Sequence, residues 1–217
     1  MQTETGSILL TDTLIKKEPF VALMTKYECA LIAVETKLNV LSKDFAVKNS
    51  RNPFEAIKSR IKKPKSILAK MERLEIVPTL DNIENTLHDI AGARVICSFI
   101  DDIYKLADAL ENQDDVIVVE RKDYIKNPKP NGYKSLHLII KVPVYLSTGR
   151  EDVKVEVQFR TIAMDFWASL EHKLRYKKEI KSASFIQSEL KEVAELISVC
   201  DEKMQIIRRQ IDILSNS

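Results

Sequence analysis

Residues 153–160, VKVEVQFR, alternate apolar and polar without a break, the period of a strand rather than of a helix. Side chains on a strand point to opposite faces in turn. Val153, Val155, Val157 and Phe159 therefore share one face, and Lys154, Glu156, Gln158 and Arg160 share the other. A chain containing this segment must build a sheet with one face to be covered and one face left polar. SLHLIIKV (135–142) fits the same sheet: Leu136, Leu138, Ile140 and Val142 match the apolar face, which sends Ser135 and His137 to the polar one. The polar row is then either a solvated sheet surface or the floor of a cleft lined by Glu156, Gln158, Arg160 and His137.

Other segments extend this sheet. ARVICSFI (93–100) is a continuous apolar run and reads as a buried strand, and VIVVERKDYI (116–125) reads as another. DDIYKLADALENQ (101–113) between them is a short helix with an acidic first turn. NPKPNG (127–132) is a loop, and Thr148-Gly149-Arg150 mark a turn. A helix at about 161–178 carries Ile162, Phe166, Leu170 and Leu174 on one face. The chain begins and ends with long helices, about 18–47 and 183–215. Phe20, Met24, Tyr27, Leu31, Val34, Leu38, Leu41 and Phe45 step by four and three, as do Ile186, Leu190, Val193, Ile197, Cys200, Met204, Ile207, Ile211 and Leu214. Such seams need partners: the two helices pair with each other, or with another subunit. The expected fold is α/β (α+β), a mixed sheet ringed by helices, in a single domain over 1–217 with its core at about 50–180.

The 34 basic and 32 acidic residues leave a net charge of only +2, so an anion site must be local. Residues 51–73 read as a basic helical stretch, with Pro53 marking a break or a new helix start. Its eight Lys or Arg (Arg51, Lys58, Arg60, Lys62, Lys63, Lys65, Lys70, Arg73) face two acids (Glu55, Glu72). It is either a solvated face or a grip for phosphates, to which Arg94 would add a further guanidinium. Cys29, Cys97 and Cys200 are odd in number and form no CxxC pair, which favours small buried hydrophobes over disulfides or zinc. The chain contains neither a membrane-length apolar run nor a signal-peptide pattern, so the expected compartment is the cytoplasm, with no membrane partner.

Two acids stand out. Glu156 lies inside a strand, and Asp89 precedes another in HDIAGAR. Such a pair can hold Mg²⁺ on phosphate oxygens; alone, Asp89 would also serve as an ordinary cap. His88-Asp89 spells the dipeptide of metal phosphohydrolases, but the remaining histidines, His137 and His172, lie at no spacing that completes such a site. PKPNGYKSLH (128–137) places Lys129, Asn131, Gly132, Tyr133 and Lys134 on a loop entering a strand, where Tyr133 offers a face for a base.

HDIAGARVICSF (88–99), ERKDYIKNPKPNGYKSLHLII (120–140) and EVQFRTIAMDFWASLEHKLRYK (156–177) resemble the synthetase domain of the RelA/SpoT family, over about residues 50–180. The chain looks like a small alarmone synthetase, closer to the RelP type than to the RelQ type. The resemblance implies a nucleotidyltransferase-like sheet of about five strands, with ATP as donor, GDP or GTP as acceptor, Mg²⁺ as cofactor and a role in the stringent response. It implies ATP contacts for Arg60, Lys62, Lys70, Arg73 and Arg94, a metal ligand in Asp89, and activation of the 3′-hydroxyl by Glu156. Tyr133 would stack on guanine, with Lys129, Asn131, His137, Gln158 and Ala168 at the acceptor, and Lys122 and Arg160 nearby. It also implies a homo-oligomer, a homotetramer by preference, and in some relatives binding of single-stranded RNA. Residues 54–58, FEAIK, do not match the alarmone-binding cleft of RelQ-type enzymes, so no product-activation site carries over. The competing readings are another nucleotidyltransferase of the same fold and a catalytically weak RNA-binding regulator.

Overall fold

Five strands form one mixed sheet in the order β1-β2-β5-β4-β3: β1 (Phe54–Ile61), β2 (Ala91–Cys97), β3 (Ile117–Asp123), β4 (Leu136–Leu146) and β5 (Gly149–Thr161). A computed structural model describes residues 18–48, 51–175 and 183–215. β2 and β5 run parallel at the centre, and every other pairing is antiparallel. The alternation of VKVEVQFR is realised on β5, where Val155, Val157 and Phe159 are fully buried. Leu136, Leu138, Ile140 and Val142 of β4 join them on the same face.

α1 (Glu18–Lys48) covers that apolar face, touching β1, β2, β4 and β5. Its four-three seam sits against the sheet: Phe20, Tyr27, Leu31, Val34 and Leu38 are buried, and Met24, Leu41 and Phe45 pack at the edges. α2 (Pro64–Arg73) starts on a proline, whose fixed backbone angle suits a first helical turn. α3 (Leu80–Thr86) is capped by the Thr79 hydroxyl, which accepts the Asn82 N–H at 3.2 Å. In α4 (Ile100–Glu111) the acidic first turn includes Asp102, whose carboxylate accepts the Phe99 N–H at 3.2 Å.

The basic stretch 51–73 is not one helix. FEAIKSRI is the edge strand β1, and helix begins only at Pro64. Pro53 therefore precedes a strand. Lys58 and Arg60 stand on an exposed sheet edge, where charged side chains are common because they discourage further strand addition.

The two long helices do not pair with each other. α5 (Ile162–Arg175) and α4 carry the last helix, α6 (Ala183–Ser215). The seam expected for α6 faces largely outward: Val193, Cys200, Met204, Ile207, Ile211 and Leu214 are exposed. The residues turned inward are Ala194, Asp201 and Gln205. The expected face of α5 is likewise outside, since Ile162, Phe166, Leu170 and Leu174 are exposed while Met164, Asp165, Trp167 and Ala168 are buried. The three cysteines are free, but only Cys97 is fully buried and Cys200 is open to solvent.

Polar bonds hold α6 to the body. The Thr161 hydroxyl donates to Asp201 at 2.6 Å, and Arg209 grips Asp101 with contacts of 2.9–3.2 Å. Burial pushes the Asp201 carboxyl above its ordinary value of 3.8, outweighing the Thr161 bond and the Lys134 charge. The folded protein therefore holds this proton more tightly than the unfolded chain does. The contribution to stability is greatest below pH 3.8 and declines as pH rises through the higher folded value. Asp201→Asn cannot ionise, so the advantage of the wild type over this variant should shrink from acid to neutral pH in denaturant unfolding. Parallel stability curves for the two proteins would refute this assignment.

Candidate active site

The polar face of the sheet is a floor of charged side chains set in register. Lys58 on β1 pairs with Arg94 on β2, Arg94 with Gln158 on β5, Gln158 with His137 on β4, and His137 with Lys122 on β3. Residues level with each other across a ladder share a face, so five strands contribute to one polar row. In a second row Arg60 is level with Gly92, and Gly92 with Glu156. Gly92 carries no side chain, which leaves the floor open between the guanidinium and the carboxylate.

Asp89 and Glu156 line one cleft, together with Lys58, Arg60, Arg94 and Gln158. The Asp89 oxygens accept Lys62 Nζ at 2.7 Å and Lys70 Nζ at 2.9 Å, which brings both lysines to its edge. Burial works to raise the Asp89 pKa, but the two ammoniums outweigh it and hold the carboxyl below its ordinary value. Glu156 is similar. Burial raises it, and the bonds from His137 and Gln158 prevail and keep it lowered. The cleft thus holds two carboxylates that are ionised at neutral pH.

Glu156 belongs to a closed ring of hydrogen bonds. Arg160 Nη2 donates to the Tyr133 hydroxyl at 2.7 Å and to Gln158 Oε1 at 2.9 Å. Gln158 Nε2 donates to Glu156 Oε2 at 2.8 Å. His137 Nδ1 lies 3.1 Å from Glu156 Oε1, and its Nε2 lies 2.8 Å from the Tyr133 hydroxyl. Arginine only donates, so the Tyr133 oxygen accepts from Arg160, and with a neutral His137 its own proton goes to Nε2. His137 then carries a proton on Nδ1 and presents it to Glu156.

Tyr133 stands in an aromatic group with Tyr124 and His137, with ring centroids 5.1–6.1 Å apart. Lys129 Nζ lies 4.7 Å from the Tyr124 ring centre and 5.0 Å from that of Tyr133. Asn131 shapes the same loop, accepting the Tyr133 N–H at 3.3 Å. Lys122, at the end of the polar row, is ion-paired with Glu120 at 2.8 Å. Two expected residues stand apart. Arg73 is exposed at the end of α2, outside the lining of the cleft, and Ala168 is buried behind Tyr133.

Sequence reasoning missed Asp165. Its Oδ1 accepts Arg94 Nη1 at 3.0 Å and Arg160 Nη1 at 3.1 Å, and its Oδ2 accepts Lys58 Nζ at 3.4 Å. Burial and the nearby charge of Arg160 lower the Arg94 pKa, a sign of how closely the two cations crowd. The only signal in the sequence was an acid near the start of an apolar helix, five residues after Arg160. The spacing of Ile162, Phe166, Leu170 and Leu174 points to the opposite face of α5, and so away from Asp165.

The donor set suits a hard cation. Mg²⁺ takes one or two carboxylates and completes its shell with water and phosphate oxygens, and Asp89 and Glu156 are carboxylates on one cleft. Among the described residues no cluster of three or more His, Cys, Asp or Glu could hold a metal.

Residues 59–181 match the family model described as "Region found in RelA / SpoT proteins". The chain is 47% identical over 186 residues to the GTP pyrophosphokinase YwaC of Bacillus subtilis, covering 86% of this chain and 89% of that protein. It is 36% identical to the GTP pyrophosphokinase YjbM of the same organism, covering 87% and 88%. Among solved structures, small alarmone synthetase 2 of B. subtilis superposes with a TM-score of 0.78 at 47% identity, covering 86% of this chain and 97% of that one. Small alarmone synthetase 1 of B. subtilis bound to its product pppGpp superposes with a TM-score of 0.83 at 34% identity, covering 90% and 99%.

Asp165→Asn removes the shared counter-charge of three cations, one of them the buried Arg160. It should cost about 3 kcal/mol of unfolding free energy, the scale for breaking a buried ion pair. A loss below about 1 kcal/mol in denaturant unfolding, the level of an exposed pair, would show that the cluster is not coupled in this way.

Proposed function

The chain belongs to the RelA/SpoT family and is a (p)ppGpp synthetase, and on that premise we propose that the polar face of the sheet carries pyrophosphate from ATP to the 3′-hydroxyl of GDP or GTP. The observation that carries the reading is the convergence of two ionised carboxylates and a row of cations on one cleft, with the aromatic loop joined to Glu156 through the Tyr133–His137 pair. Polyphosphate needs the cations, and a base needs the ring.

Arg60, Arg94, Lys62 and Lys70 receive ATP, with Arg73 as an outer contact once phosphates draw it in. Lys62 and Lys70 are paired with Asp89 in the structure, and triphosphate oxygens offer them a second anion. Tyr133 takes the guanine, helped by Lys129 and Asn131, while His137, Gln158 and Arg160 hold the frame behind it. Lys122 adds positive charge at the acceptor end, and Ala168 supports Tyr133 from behind. Asp89 and Glu156 would hold Mg²⁺, which neutralises phosphate charge when bound.

Glu156 orients the 3′-hydroxyl. Its lowered pKa makes it a weak base, so equilibrium deprotonation is not its main task. The 3′-oxygen attacks the ATP β-phosphorus in line. The new O–P bond forms as the bond to the α-phosphate oxygen breaks, AMP leaves, and the hydroxyl proton is released. Positioning and charge neutralisation provide most of the acceleration.

The uncovered apolar faces of α5 and α6 support a homo-oligomer, and we assign a homotetramer. We place the protein in the cytoplasm, with its nucleotides; among the described residues no helix is long and apolar enough to cross a membrane.

Incubation with labelled ATP and GDP should yield AMP and guanosine tetraphosphate. Retention of RNA without product would favour the weak regulator, and transfer to another acceptor would favour a different nucleotidyltransferase. Glu156→Gln should abolish turnover while ATP still binds, and near-normal turnover would remove Glu156 from the mechanism. Tyr133→Ala should weaken guanine-nucleotide binding by about 1–3 kcal/mol, the scale of one base–aromatic stack. Calorimetry showing an equal loss for ATP would contradict the acceptor assignment.

A further inference from the structure

The acceptor loop rests on a helix that contributes nothing to the cleft lining. Residues 127–135 hold little regular structure, and two bonds fold them on themselves: Gly132 N–H to Lys129 O at 2.8 Å, and Lys129 N–H to Tyr133 O at 3.1 Å. The outer side of the loop lies against α6. Gly132 takes a φ of +85°, and a Cβ placed there would lie 2.5 Å from the Ala194 Cβ. Gly132 therefore touches the helix at the closest approach the backbone allows, and only the smallest pair of residues fits the contact. Two residues on, the Lys134 ammonium donates to the Ser198 hydroxyl, one helical turn from Ala194.

Tyr133 is seated from the same side. It packs on a small apolar cluster of Trp167, Ala168, Ala194, Leu190 and Ile197, separate from the main core. The Trp167 indole N–H donates to the Leu190 carbonyl at 2.9 Å, which ties α5 to α6 behind the ring. The donor half lies elsewhere, on β1, β2 and the turn before β2, whereas α6 packs on α5 and α4.

We propose that α6 sets the conformation of the acceptor loop, with Ala194 and Ser198 as positioning residues for the guanine nucleotide. The inference rests on the assignment of Tyr133 to the acceptor. The helix has no direct contact with the nucleotide; it holds the loop at the distance and angle at which Tyr133 meets the base. Its effect is therefore selective, altering acceptor affinity and leaving the donor unchanged.

Ala194→Leu drives a larger side chain into Gly132 and should raise the KM for GDP and GTP about tenfold, within the range for an overpacked contact. Ser198→Ala removes the bond from Lys134, along with an exposed bond to Glu202 on the same helix, and should raise it about threefold. The KM for ATP, and kcat at saturating acceptor, should stay within about twofold of wild type, because neither residue reaches the donor half. Ala194→Ser, nearly the same size, should restore acceptor KM. Hydrogen exchange at residues 127–135 should quicken in both disruptive variants. Equal rises in KM for donor and acceptor would overturn the proposal, as would unchanged acceptor KM with unchanged exchange. Faster exchange with unchanged acceptor KM would overturn the acceptor assignment of the loop, and this proposal with it, while leaving the synthetase activity standing. If Ala194→Leu fails to fold, the exchange and KM measurements on Ser198→Ala decide the matter.

Discussion

Lys58, Arg94 and Arg160 stand on three different strands, and all three reach Asp165. Without that carboxylate the floor of the cleft would repel itself, because guanidiniums held side by side in a partly buried site have little water to screen them. One negative charge from the first turn of α5 allows the sheet to present a dense cationic row without splaying. Arg160 then has its remaining donors free for Tyr133 and Gln158, and through them the arrangement reaches Glu156. The cationic row and the ring around Glu156 thus depend on the same counter-ion.

The legible parts of the sequence were those in which one residue type repeats at one period. The alternation on β5 gave its two faces correctly, and the cross-strand register placed His137 level with Gln158. β1 was misread because Lys58, Arg60, Lys62 and Lys63 form a basic run, and FEAIKSRI alternates too weakly to outweigh it. Edge strands are often of this kind: with one long side unpaired they need charge more than alternation. Asp165 was invisible for a different reason. Nothing local marks an acid as a shared counter-ion when its partners lie 5, 71 and 107 residues away.

The two long helices show what periodicity can and cannot say. α1 and α6 carry the same four-three spacing, yet α1 buries it on the sheet and α6 leaves it outside. A seam states that a face is apolar. It does not name the surface that covers it. In α6 the inward positions include Asp201 and Gln205, buried polar groups satisfied by Thr161 and Asp101. Their bonds lie on the inward face, and the apolar residues lie on the outward one.

The closed ring around Glu156 fixes more than distances. Gln158 accepts from Arg160 with its oxygen and donates to Glu156 with its nitrogen. Turning the amide over would set donor against donor at one end and acceptor against acceptor at the other. The imidazole is restricted at Nδ1, which faces the carboxylate and must give its proton to it. Arg160 can only give and Glu156 can only accept, so the Gln158 amide between them has a single polarity. The carboxylate is aimed by the donors on either side of it, Gln158 Nε2 and His137 Nδ1, so a single turned amide would leave one of its oxygens facing another acceptor.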